Sequence, residues 1–213
     1  MKIILLSGKM QSGKNTCADI LKEILESKQK TVEMVAFANE LKKCCEKDFL
    51  SLSEYLNNKC SSFINEYGNL LPVEALKEIS ELKIKCDNWY EDKTPLTRII
   101  LQTYGTNIFR ARVDENYWVN KFNEKICNLK SDYVIVTDVR FPNEIECVKD
   151  FFYDIMSVDD IISIRINRNT GIVNYHPSET ALDDYNNFDV VLYNNGTMED
   201  FKNTIQSLTF IKE

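Results

Sequence analysis

The chain of 213 residues has a single histidine, His176, and only 6 glycines. A lone imidazole more often packs or hydrogen-bonds than catalyses, which leaves little room for histidine-centred chemistry. No block of lysine and arginine is present that could track a polyphosphate backbone. The formal net charge is −7, from 26 basic and 33 acidic residues. A DNA or RNA duplex is therefore not an expected partner, while a local basic pocket for a mononucleotide remains open. No segment is long enough to span a membrane, and the opening "MKIILLSG" runs on without a small-residue cleavage site. It reads as a buried strand instead of a signal peptide. The seven cysteines include no pair at CxxC spacing. They read as reduced thiols of a cytoplasmic protein, without a zinc site. Internal repeats and low-complexity tracts are also lacking.

What is present suits one α/β domain spanning residues 1–213, with 44% hydrophobic residues to bury a core. Five short runs read as strands: Lys2 to Leu6, Thr31 to Phe37, Tyr133 to Asp138, Ile161 to Ile166 and Phe188 to Tyr193. Most are almost continuously apolar, as parallel strands covered on both faces are. Helical patterns lie between them: Lys14 to Glu26, Asn39 to Phe49, Val73 to Ile84, Pro95 to Tyr104, Asn116 to Leu129, Pro142 to Phe152 and Thr197 to Leu208. The alternation predicts a doubly wound, five-stranded parallel sheet. Asp48 to Thr94 is long for a crossover and reads as a mostly helical insertion.

Two of the few glycines stand in "LLSGKMQSGKNTCADIL", between the first strand and the first helix. In that context Gly8, Lys9, Ser12, Gly13 and Lys14 form a phosphate-binding loop. Its backbone N–H groups turn inward on a phosphate, the helix N-terminus adds its dipole, and the Lys14 ammonium reaches the β and γ oxygens. A glycine turn with a solvated lysine is the bland alternative. The usual hydroxyl after the lysine is replaced by Asn15, and a threonine comes one place later at Thr16. Thr16 is the first candidate for a phosphate or the magnesium shell, with Asn15 the alternative.

"YVIVTDVRFPNE" places Asp138 and Arg140 at the carboxyl end of a buried strand, where open α/β sheets put their ligands. Asp138 suits magnesium and Arg140 suits a phosphate, with Glu144 placed to orient the arginine. A structural ion pair at a strand end is the competing reading.

Together "LSGKMQSGKNT", "AFANELK", "ILQTYGTNIFRARVDENYWV", "TDVRFPNE", "HPSE" and "NNGT" resemble the phage-type deoxynucleoside monophosphate kinases. These are phosphate-loop enzymes that pass a phosphoryl group from ATP, with Mg2+, to a deoxynucleotide. The pieces occur in the family's order from Leu6 to Thr197. The resemblance implies a helical acceptor-binding insertion over about 40–118 and a lid over about 167–187. It implies that Phe37, Ala38 and Lys42 line the acceptor, although Asn39-Glu40 stands where the family more usually has an Asp-Pro pair. It further implies that Arg110 grips the acceptor phosphate, with Arg112 nearby and Trp118 either flanking the acceptor base or packing the core. Lid arginines Arg165 and Arg168 would neutralise charge on the transferred phosphoryl group, and His176, Ser178 and Glu179 would shape the closed lid or acceptor pocket. Asn194 and Gly196 would adjoin the donor adenine, or merely form a strand-to-helix turn.

On this reading Lys14, Asp138, Arg140 and Arg168 carry catalysis, Thr16 and Asp138 hold the metal, and no strong base is needed, because the acceptor is already an oxyanion. The resemblance also implies a viral or phage-like protein of the host cytoplasm, with a homodimer as an expected assembly. Two rivals stay open: a phosphomevalonate-type or other small-molecule kinase on the same fold, and a nucleotide-binding regulatory protein without catalysis.

Overall fold

The computed structural model describes residues 1–44, 101–111, 113–155, 157, 160–171 and 174–212. The helix expected at Val73 to Ile84, the insertion from Asp48 to Thr94 and the candidate Arg112 lie outside the described residues. The chain divides into two compact units, residues 1–37 with 119–213, and residues 38–118.

The first unit holds five strands, β1 (Lys2–Gly8), β2 (Val32–Val35), β3 (Tyr133–Val139), β4 (Ile161–Asn167) and β5 (Val190–Tyr193). All are parallel, in the order β2-β3-β1-β4-β5. The side-chain period of two sends alternate residues of β1 to opposite faces, and both faces are covered. Ile4 and Leu6 enter one core, and Ile3 and Leu5 the other. Helix α1 (Lys14–Ser27) closes the first face with Cys17, Ala18, Leu21 and Leu25, at the spacing of one helical stripe. The second face takes Phe122 and Ile126 from α2 (Tyr117–Ile126), and Ile145, Val148 and Phe152 from α3 (Pro142–Phe152). Each fully buried aliphatic side chain contributes about 1.5–3 kcal/mol.

Two more helices follow β4 and β5: a single turn, α4 (Pro177–Thr180), and α5 (Met198–Gln206), which buries Phe201 and Ile205. The short α6 (Thr209–Lys212) closes the described chain. With β1 flanked by β3 and β4, the strand order reverses at the carboxyl end of β1, the place where such sheets bind ligands. No helix among the described residues is long and apolar enough to cross a membrane.

Two elements differ from the sequence pattern. β2 ends at Val35, and residues 37–44 are helical, although "TVEMVAF" has strand character to Phe37. Asp138 Oδ1 takes the Phe37 N–H at 2.8 Å, so a carboxylate claims the donor that a longer ladder would use. In the second unit Thr103–Arg110 is wound as a π-helix, a rare form that periodicity at 3.6 residues does not announce.

Candidate functional site

The phosphate loop is shaped by two glycines that cannot be replaced. A Cβ on Gly8 would stand 2.6 Å from the Ile166 carbonyl oxygen and 2.4 Å from Ser12 Oγ. Gly13, which opens α1, has φ 101°, and its Cβ would meet Asn194 Nδ2 at 2.4 Å. The buried Asn194 side chain donates to the Ser12 carbonyl at 2.9 Å. It props the loop from within. Gly196 lies in the turn that leads to the Thr197 cap of α5, where Thr197 and Asp200 satisfy each other's backbone N–H groups.

Lys14 turns back over the loop, its ammonium donating to the carbonyls of Gly8 at 2.5 Å and Lys9 at 2.9 Å. Burial, first, and then the charges of Arg140 and Arg165 lower its pKa from 10.5 to about 8, against the opposing pull of Glu179 and Asp138. Three cations from three separate elements thus crowd the mouth of one loop. Thr16 is half-buried in the first turn of α1, whereas Asn15 is exposed.

Arg140, just past β3, donates from Nη1 to Glu179 Oε1 and, at 3.2 Å, to the Ser178 carbonyl. Glu144, placed by the sequence to orient this arginine, instead caps α3: its carboxylate accepts the backbone N–H groups of Arg140 at 2.6 Å and Phe141 at 3.1 Å. Arg165 faces inward from β4, where Nη1 donates to Ser7 Oγ at 2.9 Å and Nη2 to Asp183 Oδ1 at 3.2 Å. Asp183 Oδ2 also accepts from Lys9 Nζ at 2.7 Å. Arg168 is exposed beyond the end of β4. A groove of about 470 Å³ adjoins Lys9, Arg165 and Asp183 and is walled in part by Tyr185 and Tyr193.

His176 is the N-cap of α4, and its Nδ1 accepts the Ser178 N–H at 3.2 Å while standing 2.9 Å from Ser178 Oγ. Burial, above all, lowers its pKa. The following Glu179 is buried, and its Oε2 accepts the Met10 N–H of the phosphate loop at 3.3 Å.

Thr16 and Asp138 offer a hydroxyl and a carboxylate, the hard oxygen donors that Mg2+ takes. No cluster of three or more His, Cys, Asp or Glu suited to a metal occurs among the described residues. Mg2+ is commonly held by one or two protein oxygens, with substrate phosphates and water completing the shell.

The remaining candidates belong to the second unit, except Phe37, which packs on Phe122 in the first at 4.1 Å between ring centroids. Ala38 and Lys42 are half-buried on the helical segment, and Arg110 is half-buried at the last position of the π-helix. Trp118 is buried, donates from Nε1 to the Gly105 carbonyl at 3.1 Å and lies 5.1 Å from the Phe109 ring.

The first unit therefore assembles Lys9, Lys14, Asp138, Arg140, Arg165 and Glu179 at the carboxyl end of the sheet, around β1, β3 and β4. Sequence reasoning missed Asp183, which bridges two of these cations, and the Met10 N–H. No residue pattern announces either; "LDDY" reads as ordinary surface charge.

Residues 38–205 match the deoxynucleotide monophosphate kinase family. That span omits the phosphate loop, so loop and family are independent signs. The chain is 30% identical to a putative deoxynucleotide monophosphate kinase of Acanthamoeba polyphaga mimivirus, over 97% of this chain and 95% of that protein. It is also 30% identical to the deoxynucleoside-5'-monophosphate kinase of Escherichia phage T5, over 40% of this chain and 34% of that protein. With the family match over most of its length and a phosphate loop ahead of it, the chain belongs to the deoxynucleotide monophosphate kinase family.

Proposed function

We propose that the chain transfers the γ-phosphoryl group of ATP to a deoxynucleoside monophosphate, with Mg2+ as cofactor, giving the deoxynucleoside diphosphate and ADP. The observation that carries this reading is Lys14, half-buried over the phosphate loop whose Gly8 and Lys9 carbonyls it holds, where burial first and then the charges of Arg140 and Arg165 lower its pKa to about 8. Such crowding costs free energy in an empty site and is relieved by a polyphosphate.

The division of labour follows from the chemistry. Backbone N–H groups of the loop from Gly8 to Asn15 cradle the donor phosphates, and Lys14 neutralises their β and γ oxygens. Arg140 and Arg168 bear on the phosphoryl group in transfer, with Arg165 fixing the wall behind them. Phe37, Ala38, Lys42 and Arg110 are the acceptor side, and residues 38–118 supply most of it. Mg2+, held by Asp138 and Thr16, would neutralise charge developing between the β and γ phosphates. The acceptor phosphate arrives as an oxyanion, so positioning and positive charge suffice and no side chain must act as a strong base. His176 is then left to cap α4. The expected working place is the cytoplasm and the expected assembly a homodimer.

The test is ADP release from ATP and Mg2+ with each deoxynucleoside monophosphate, set beside phosphomevalonate. Turnover is expected with at least one deoxynucleotide. Turnover with none of them overturns the reading.

A further inference from the structure

We propose that residues 176–183 form an acidic strap whose two carboxylates, Glu179 and Asp183, occupy the phosphate site of the empty enzyme as internal anions and yield it to the substrate phosphates. The proposal rests on the phosphate-loop reading above.

The strap meets the site at each of its principal cationic walls. Glu179 Oε2 accepts the Met10 N–H of the loop at 3.3 Å, and Oε1 pairs with Arg140. Asp183 takes Lys9 with one oxygen and Arg165 with the other, at 2.7 and 3.2 Å. A phosphate oxygen would use the same donors: a loop N–H, a guanidinium and a lysine ammonium. Glu179 also acts on Lys14, where its charge opposes the lowering of the lysine pKa by Arg140 and Arg165.

Two acidic side chains reaching one loop are not explained by the fold. The strap already has an apolar anchor in Leu182, which is buried in the second core, and α4 is already capped by His176. Neither feature requires a carboxylate on Met10 or on Lys9. Leu182 also sets how the exchange proceeds. It stays in the core while Glu179 and Asp183, on either side of it, swing their carboxylates out of the site. Arg140 and Lys9 are then handed from protein anions to substrate anions, so these cations are never left without a counter-charge. A phosphate that binds must compete with two resident carboxylates, and affinity is reduced accordingly.

Glu179→Gln keeps the size of the side chain and removes its charge; Asp183→Asn does the same at the second position. The readout is the dissociation constant of inorganic tripolyphosphate, measured by calorimetry on the full chain, with thermal unfolding to confirm the fold. Binding is expected to tighten by about ten-fold in Glu179→Gln and about three-fold in Asp183→Asn, the fully held carboxylate counting for more. A side chain that only braces the fold would give unchanged or weaker binding, and that result overturns the strap. If Glu179→Gln does not fold, Asp183→Asn carries the test alone, and unchanged or weaker tripolyphosphate binding in it overturns the strap. Wild-type chain that binds neither ATP nor tripolyphosphate would instead overturn the phosphate-loop reading itself.

Discussion

The two ends of the sheet treat charge in opposite ways. At the amino end, carboxylates are satisfied one by one. Asp189 accepts the Ser163 N–H and hydroxyl at 2.8 and 2.6 Å and pairs with Lys149 at 2.9 Å. Asp132 accepts the Thr31 N–H and hydroxyl, both at 2.8 Å. Both carboxyl groups titrate below their ordinary range. For Asp189 burial pushes upward, but the Ser163 bonds and Lys149 outweigh it; for Asp132 the Thr31 backbone bond leads. At the carboxyl end Lys14, Arg140 and Arg165 crowd together, and the Lys14 ammonium is the form that suffers. Charge at the amino end stabilises the folded chain, whereas at the carboxyl end, where Arg140 and Arg165 have carboxylate partners, the Lys14 ammonium is held at a cost. The difference is visible without reference to any sequence pattern.

The comparison breaks most readily at Lys14. Lys14→Ala is expected to lower turnover by about 10³-fold or more, because the lost charge bears on the phosphoryl group in transfer. The melting temperature should hold or rise, since an unfavourable half-buried ammonium is gone. Coupled ADP release and a thermal melt read the two effects, and a fall in stability with activity retained would make Lys14 a structural ion like those at the other end. Arg140→Lys should cost less, about 10²-fold in kcat, as a point charge replaces a planar fork that also reaches the Ser178 carbonyl. A variant as active as the wild type would remove Arg140 from the machinery.

How far the sequence reached follows the same division. The parallel sheet and the phosphate loop were legible, because the apolar runs of β1, β3 and β4 and the Gly8 to Lys14 spacing are local signals. The limits of β2 were not, since Asp138, about a hundred residues away, claims the Phe37 N–H. The same holds for the partner of Arg140: Glu144 lies four residues on in the sequence and takes the backbone, while Glu179 takes the guanidinium across the fold. Asn194 could be placed in a turn from its neighbours, but its bond to Ser12 depends on β5 lying next to β4. Local geometry was readable; the pairing of buried charges, decided by which strand ends meet, was not.

A smaller effect sharpens the contrast through pH. The unfolded Lys14 titrates near 10.5 and the folded one near 8. Below pH 8 both states hold the proton and the folded chain bears the cost of the buried charge. Between pH 8 and 10.5 the folded lysine gives up its proton while the unfolded one keeps it, so stability rises with pH. Wild type should therefore gain stability over this window relative to Lys14→Met, as denaturant melts will read. Nucleotide binding runs the other way. Phosphates favour the protonated lysine, so affinity should fall above pH 8, by at most about ten-fold per pH unit. Calorimetry at pH 7 and 9 checks this, and a pH-independent dissociation constant would contradict a charged Lys14 on the phosphates.

The smallest effects belong to the amino end, and they must leave catalysis alone. Asp189→Ala removes both bonds to Ser163 and the pair with Lys149, and is expected to cost about 1–2 kcal/mol, or roughly 2–8 °C in melting temperature. Asp132→Asn keeps an acceptor for Thr31 at an exposed position and removes only the charge, so its melting temperature should fall less. The sign of its pH dependence is fixed by the depressed carboxyl pKa. The stabilisation is present above the ordinary carboxylate value of 3.8 and lost as pH falls through the lower folded value. Wild type and Asp132→Asn should therefore differ at pH 7 and converge in acid, while both variants turn over substrate at the wild-type rate. A loss of turnover in either, with the fold intact, would mean that the two ends of the sheet are not independent, and that the cations at the carboxyl end draw part of their arrangement from the structural charges below them.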